Sequence, residues 1–142
     1  MTGRGFGTPP KASPDVIAAR DALADKVCHE LERSGLPAFR GEAEHGSSPK
    51  ASGTRVHVDP SVNGGVIVRW RTGEALRAAA LEILKSGDFA GIPPTLRHHE
   101  TVGQCMAGAL AGILASAGFE VQETDPHTHG RAVLVRGIRS ES

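Results

Sequence analysis

TRVHVDPSVNGGVIVRWR, residues 54–71, contains two runs in which apolar and polar side chains alternate. Alternation with a period of two is typical of half-buried β-strands. The Asn63-Gly64 dipeptide between the runs is typical of a tight hairpin turn with positive φ angles. One face of the hairpin would carry the apolar side chains Val56, Val58, Val66, Val68 and Trp70. We therefore predict an antiparallel hairpin with this face in the core.

The other face of the predicted hairpin is polar and mostly cationic. It would carry Arg55, His57, Asp59, Ile67, Arg69 and Arg71. Guanidinium groups on neighbouring strands suit the binding of phosphate or carboxylate groups. Our candidate ligand-binding residues are therefore Arg55, His57, Arg69 and Arg71. Alternatively, the arginines only cover the sheet, or they pair with Asp59 and nearby glutamates.

The chain has 142 residues, a formal net charge of zero and a pI near 7.1. This length is typical of one domain, and we predict a flexible tail over residues 1–12, a single α+β domain over 13–138 and a frayed end over 139–142. No apolar run approaches the ~20 residues that span a bilayer, and the N-terminus lacks the apolar stretch of a signal peptide. We expect a cytoplasmic protein with no membrane contact. Abundant Ala and Gly, with more Arg than Lys, indicate a GC-rich bacterial genome.

Three segments have the spacing and the end signals of helices. The first begins at Ser13-Pro14-Asp15 and ends before Gly35, with Val16, Ala19, Leu23, Val27 and Leu31 on one side. The second begins at Thr72-Gly73-Glu74 and ends at Gly87, with an apolar stripe formed by Leu76, Ala79, Ala80, Ile83 and Leu84. The third covers about residues 95–117.

The third helix contains Gly108 and Gly112, one turn apart. An interior glycine costs about 1 kcal/mol of helix stability relative to alanine, so we predict that close packing against another helix or the sheet offsets the cost. The two cysteines, Cys28 and Cys105, lie among apolar neighbours in helices. We predict that both are reduced and buried.

Strands are also predicted over residues 38–44, 119–122 and 131–136. The order α-β-β-β-α-α-β-β predicts an α+β fold with an antiparallel sheet of four to five strands and helices packed on one face. Its first half resembles the element order of double-stranded RNA-binding domains, although Thr72-Gly73-Glu74-Ala75 replaces their lysine-rich helix start. The whole order resembles the small dimeric chaperones of secretion systems, which implies binding of extended partner segments.

Motifs for catalysis and metal binding are sparse. There is no nucleophile elbow, P-loop or HExxH sequence. His127 and His129 form an H-x-H pair in a predicted turn, and His98 and His99 begin the third helix. Adjacent histidines on a helix point about 100° apart and cannot both face one ion, so we predict no metal site. Because the motifs named above are missing, we also predict no catalytic residues and no cofactor.

The leading hypothesis is a non-enzymatic cytoplasmic binding or adaptor domain, a homo-oligomer such as a homodimer, that engages a protein partner through its sheet or helix surface. One alternative is a nucleic-acid- or anion-binding domain that uses Arg55, Arg69 and Arg71. Another is a small enzyme that acts on an anionic substrate with His57 and either Arg69 or Arg71.

Overall fold

A computed structural model describes residues 10–41, 52–87, 91–123 and 132–139 of the chain. The elements along the chain are α1 (Pro14–Arg33), β1 (Ala38–Arg40), β2 (Gly53–Val58), β3 (Val66–Arg71), α2 (Glu74–Ser86), α3 (Pro94–Ser116), β4 (Phe119–Glu123) and β5 (Ala132–Ile138). The predicted α+β fold and its element order are confirmed. The histidine pair at 127 and 129 lies outside the described residues.

The five strands form one sheet in the order β1-β2-β3-β5-β4. The pairs β2-β3, β3-β5 and β5-β4 are antiparallel, as predicted, but β1 pairs with β2 in parallel. A parallel neighbour needs a long return connection, and residues 41–52 separate the two strands. Hydrogen bonds from Thr54 N to Pro37 O, at 2.8 Å, and from Gly41 N to Val56 O, at 3.2 Å, extend this parallel pairing at both ends.

The hydrophobic core lies between one face of the sheet and the helices α1 and α3. The predicted core face of the hairpin is confirmed, because Val56, Val66 and Val68 are fully buried and Val58 and Trp70 pack against the same cluster. Other strands add Phe119, Val133 and Val135, and the helices add Ala24, Val27, Leu31, Leu110 and Leu114. Burying each of these larger side chains contributes about 1.5–3 kcal/mol.

The first half of α1 does not follow the predicted stripe into this core. Val16 and Ala19 are exposed, whereas Val27 and Leu31 are fully buried. Salt bridges of 2.8 Å from Arg40 to Asp21 and to Asp25 tie the middle of α1 to β1. The helix therefore crosses the sheet with its C-terminal half in the core and its N-terminal half over the sheet margin.

α2 packs on α3 and buries little of its surface. Ala80 is its one buried residue, and Leu81 and Leu84 expose more than half of their surface. The predicted stripe of α2 is therefore only partly internal. No described helix has both the length and the apolar character needed to cross a membrane.

The connection between β2 and β3 differs from the predicted tight turn. Gly64 does not take a positive φ angle, and the connection closes with a 2.8 Å hydrogen bond from Asp59 N to Gly65 O. Glycine is required at position 64 for another reason. A Cβ atom there would lie 2.5 Å from the Asp59 carbonyl oxygen, which is closer than atoms pack.

Residues 10–12 of the predicted tail run beside this connection. Ala12 N donates to Pro60 O at 2.8 Å, and Val62 N donates to Pro10 O at 2.9 Å. At the other end of the chain, Arg139 N donates to Gly118 O at 2.7 Å.

The predictions for the glycines and for Cys105 on α3 were wrong. Cβ atoms added at Gly108 and Gly112 would meet nothing within 4 Å, and Cys105 is exposed. The core side of α3 is formed by Ala107, Leu110 and Leu114, so these small residues lie on its outer side. Cys28 is half-buried, and that burial raises the pKa of its thiol to about 11, although Arg40 acts in the opposite direction.

Candidate anion-binding face

Arg55, His57, Arg69 and Arg71 lie on the face of the sheet opposite α1 and α3, which we call the arginine face. The first two are on β2 and the last two on β3, and all four are half-buried. Their sequence neighbours Val56 and Val68 point into the core, and strand alternation places the four polar side chains on the other side. The structure thus places on one face of the sheet the four residues that the alternation predicts there.

The β2-β3 register sets the spacing of these residues. Arg55 lies directly opposite Arg69, and Arg71 lies opposite Gly53. His57 lies opposite Ile67, so Arg69 is its diagonal neighbour. The register position of His57 is four residues from that of Arg71, or about 13 Å at ~3.3 Å per residue. The arginines are therefore clustered, whereas His57 is well separated from Arg71.

The surroundings of Arg71 are positively charged. Its partial burial, followed by the charges of Arg77 and Arg55, lowers the pKa of its guanidinium, and Glu74 only partly opposes this. The Nε atom of Arg71 is buried and has no hydrogen-bond acceptor among the residues that the structure describes. Arg71 is therefore the member of the cluster whose repulsion by neighbouring cations an added anion would relieve.

Arg77 is a fourth cation that the alternation pattern could not reveal, because it lies on α2. Its Nε donates to Thr72 O at 2.9 Å, and one terminal nitrogen donates to Glu74 Oε1 at 3.0 Å. Only Thr72 and Gly73 separate β3 from α2, so the first turn of the helix has to lie near Arg71. This two-residue connection is the sequence feature from which the position of Arg77 near Arg71 could have been predicted.

The centre of the arginine face is apolar. Ile67, Ala132 and Leu134 form a second buried cluster, separate from the main core. The register places Ile67 opposite Leu134 and Arg69 opposite Ala132. The face predicted as mostly cationic therefore carries a buried apolar strip beside the three arginines. The sequence signal that could have predicted this strip is the alternation in the RAVLVR run, residues 131–136, which puts Ala132 and Leu134 on one side of a strand.

Asp59 does not act as the counter-charge that the alternative interpretation assigned to it. Its carboxylate accepts a 3.0 Å hydrogen bond from Ser61 N, and its carbonyl accepts a 2.7 Å bond from Arg20. Both contacts lie in the β2-β3 connection, beyond the end of β2. The structure therefore assigns Asp59 to the turn.

Histidine, cysteine and carboxylate side chains form no group suited to a metal ion within residues 10–41, 52–87, 91–123 and 132–139. His98 is exposed and His99 is half-buried on α3. The four residues of the arginine face supply three guanidinium groups and one imidazole. Such a donor set is suited to carboxylates and phosphates.

Protein-family models, curated proteins and solved structures were compared with this chain, and none matched it. The element-order resemblances to RNA-binding domains and to secretion chaperones thus gain no support. Function has to be inferred from the residues themselves.

Proposed function

We propose that the chain is a non-enzymatic cytoplasmic binding domain that engages an acidic segment of a partner protein through the arginine face. The observation that carries this proposal is the clustering of like charges around Arg71, whose guanidinium pKa is lowered by burial and by Arg77 and Arg55. Arg55 lies directly opposite Arg69, so guanidinium groups of neighbouring strands are close enough to bind one anionic group together.

Two features favour a protein segment over a nucleic acid. Side chains in an extended peptide alternate, so successive acidic side chains on one side of it can meet the arginines of neighbouring strands. The zero net charge of the chain also provides no general attraction for a phosphate backbone.

The test uses a fluorescent peptide of alternating Glu and Val residues, with an alternating Lys and Val peptide as the charge-reversed probe. Fluorescence anisotropy is measured with wild-type protein and with the double variant Arg69→Gln, Arg71→Gln. We expect the acidic peptide to bind wild type in a salt-sensitive manner and the double variant to bind it at least about tenfold more weakly.

The matched control is the double variant Arg33→Gln, Arg97→Gln, which removes the same charge from exposed positions on α1 and α3. It should bind the acidic peptide as wild type does. Equal loss in both double variants would show a general charge effect and would overturn the proposal. Tighter binding of a single-stranded DNA oligomer than of the acidic peptide would replace it with the nucleic-acid alternative.

A further inference from the structure

A second candidate site lies at the sheet margin, away from the arginine cluster. Between the N-terminal half of α1, the β2-β3 connection and the last residues of β5 is a cleft of about 590 Å³. This volume is within the ~300–1,000 Å³ of pockets that hold small organic ligands. The cleft exists because the first half of α1 extends past the core.

The walls of the cleft are largely apolar. α1 contributes Val16, Ala19 and Leu23, the β2-β3 connection contributes Val62, and β5 contributes Ile138. Val16, Val62 and Ile138 are 41%, 49% and 54% exposed, and they are three of the six large apolar side chains that the described residues expose. Half of these exposed apolar side chains therefore border the cleft, where a ligand would cover them.

Three cations line the same cleft, namely Arg20, Lys26 and Arg136. No aspartate or glutamate is among its lining residues in the part of the chain that the structure describes. The positive charge at the cleft is therefore not neutralised from within its own walls. Charge complementarity calls for an anionic group on the ligand.

Arg20 is held in place by the turn that it borders. One terminal nitrogen donates to the carbonyl oxygens of Asp59 and Ser61, both at 2.7 Å, and the other donates to Val62 O at 3.3 Å. Carbonyl acceptors fix the guanidinium but leave its full charge in place. Arg136 lines the cleft, but its Nε donates at 3.3 Å to Gln122 Oε1, and Gln122 lies opposite Leu134 on the sheet face away from α1, so its guanidinium is directed away from the cleft.

We propose that this cleft binds a small amphipathic organic anion, with an apolar body against Val16, Leu23 and Ile138 and a carboxylate or similar group near Arg20 and Lys26. An apolar pocket with a few polar groups is the usual design of a small-molecule site. This site shares no residue with the arginine face. The proposal for the cleft is therefore tested independently of the function proposed above.

The experiment titrates octanoate into isotopically labelled protein and follows the backbone amide signals by NMR. We expect saturable shifts at Ala19, Leu23, Gly64 and Gly137. Octanol and octylamine have the same apolar body with neutral and positive headgroups, and both should bind more weakly. Equal binding of all three probes would overturn the assignment of an anion. Shifts confined to Arg55, Arg69 and Arg71 would overturn the site.

Two pairs of variants separate the cleft from the rest of the surface. Ala19→Trp fills the cleft and should weaken octanoate binding by about tenfold or more, whereas Ala18→Trp, on an exposed neighbouring position outside the cleft, should not. Lys26→Gln should weaken octanoate several-fold without changing octanol, and Arg97→Gln should change neither. Equal effects within either pair would contradict the proposal.

A peptide that ends in a free leucine carboxylate offers the same chemistry at the end of a chain. An acetylated tripeptide of this kind is the last arm of the titration. Weaker binding than octanoate at the same amides is expected. Tighter binding would overturn the assignment of a small molecule.

Discussion

Thr54 is a buried polar residue without an evident structural use. It is fully buried on the core side of β2, between Ala38 and Trp70 on the neighbouring strands, and within the described part of the chain its hydroxyl has no hydrogen-bond partner. Thr54→Val replaces the hydroxyl with a methyl group of similar size. We expect the free energy of unfolding to rise by about 1 kcal/mol or more, measured by urea denaturation.

The control for this change is on the same strand and the same face. Val56 is also fully buried, so Val56→Thr introduces an unsatisfied hydroxyl and should lower the free energy of unfolding by about 1–3 kcal/mol. Changes of the same sign in both variants would contradict the assignment of Thr54 as an unsatisfied group.

The two cysteines should react with a thiol reagent at very different rates. Cys105 is exposed, whereas burial raises the pKa of Cys28 to about 11. At pH 8 only about one Cys28 in a thousand is a thiolate, and the thiolate is the reactive form. Labelling by a chromogenic disulfide should therefore show one fast and one slow thiol. Cys105→Ser should remove the fast phase and Cys28→Ser should retain it; loss of the fast phase in Cys28→Ser would reverse the assignment.

The same shift affects alkaline stability. The folded state holds the Cys28 proton more tightly than the unfolded state, whose thiol keeps the ordinary pKa near 9.0. The stabilising contribution is therefore fully present below pH 9 and is lost as the pH rises toward 11. Cys28→Ser should lose less stability than wild type over this window, as measured by thermal melting at each pH.

At the scale of the element, α3 should be easy to stabilise. Gly108 and Gly112 occupy helix interior positions with open space around their missing Cβ atoms. Each change to Ala should raise the free energy of unfolding by about 0.5–1 kcal/mol, and the corresponding changes to Leu should also be tolerated. Gly64→Ala is the contrasting control, since its Cβ would meet the Asp59 carbonyl. Melting temperatures that fall for Gly108→Ala and Gly112→Ala would restore the close-packing hypothesis.

Element types were predictable because their signals are local. Ser13 and Pro14 mark the start of α1, and Ser13 Oγ accepts from Val16 N at 3.3 Å as an N-cap should. The β2-β3 hairpin and its core face followed from a period of two. These patterns depend on neighbours within a few residues along the chain.

Features that depend on tertiary placement were not predictable in this way. The helical spacing of α3 does not show which of its sides meets the sheet, because small residues lie on more than one side. The prediction that Cys105 is buried was wrong for this reason. The parallel pairing of β1 depends on where residues 41–52 lead the chain, and the contribution of Arg77 depends on the path from β3 into α2. The cleft results from the offset of α1, which leaves Val16 and Ala19 outside the core.

At the scale of the whole molecule, binding features are distributed over separate surfaces. The arginine face lies on one side of the sheet, and the cleft lies at its margin beside α1. The exposed side of α2 forms a third surface. This helix packs on α3 and leaves Leu81 and Leu84 exposed to solvent. Removing charge from the sheet face and filling the cleft should therefore have additive effects on stability and separable effects on binding.

We predict that α2 forms the contact of a homodimer. Leu81 and Leu84 are 52% and 57% exposed, and Ile92, just before α3, is 63% exposed. Glu82 and Lys85, which are 3.9 Å apart, flank the two leucines. When two α2 helices lie antiparallel, Glu82 of each copy can face Lys85 of the other while the leucines are covered. Light scattering should then give about twice the 14.8 kDa mass of one chain.

The double variant Leu81→Lys, Leu84→Lys should have the mass of one chain, because four added charges would meet in the dimer contact. Its melting temperature, measured under dilute conditions where wild type is also dissociated, should stay close to wild type since both side chains are exposed. Val16→Lys with Val62→Lys adds the same charge at similarly exposed apolar positions on the cleft and should remain dimeric. A wild-type mass of one chain at every concentration, or dissociation of the control variant alone, would show that α2 is not the contact.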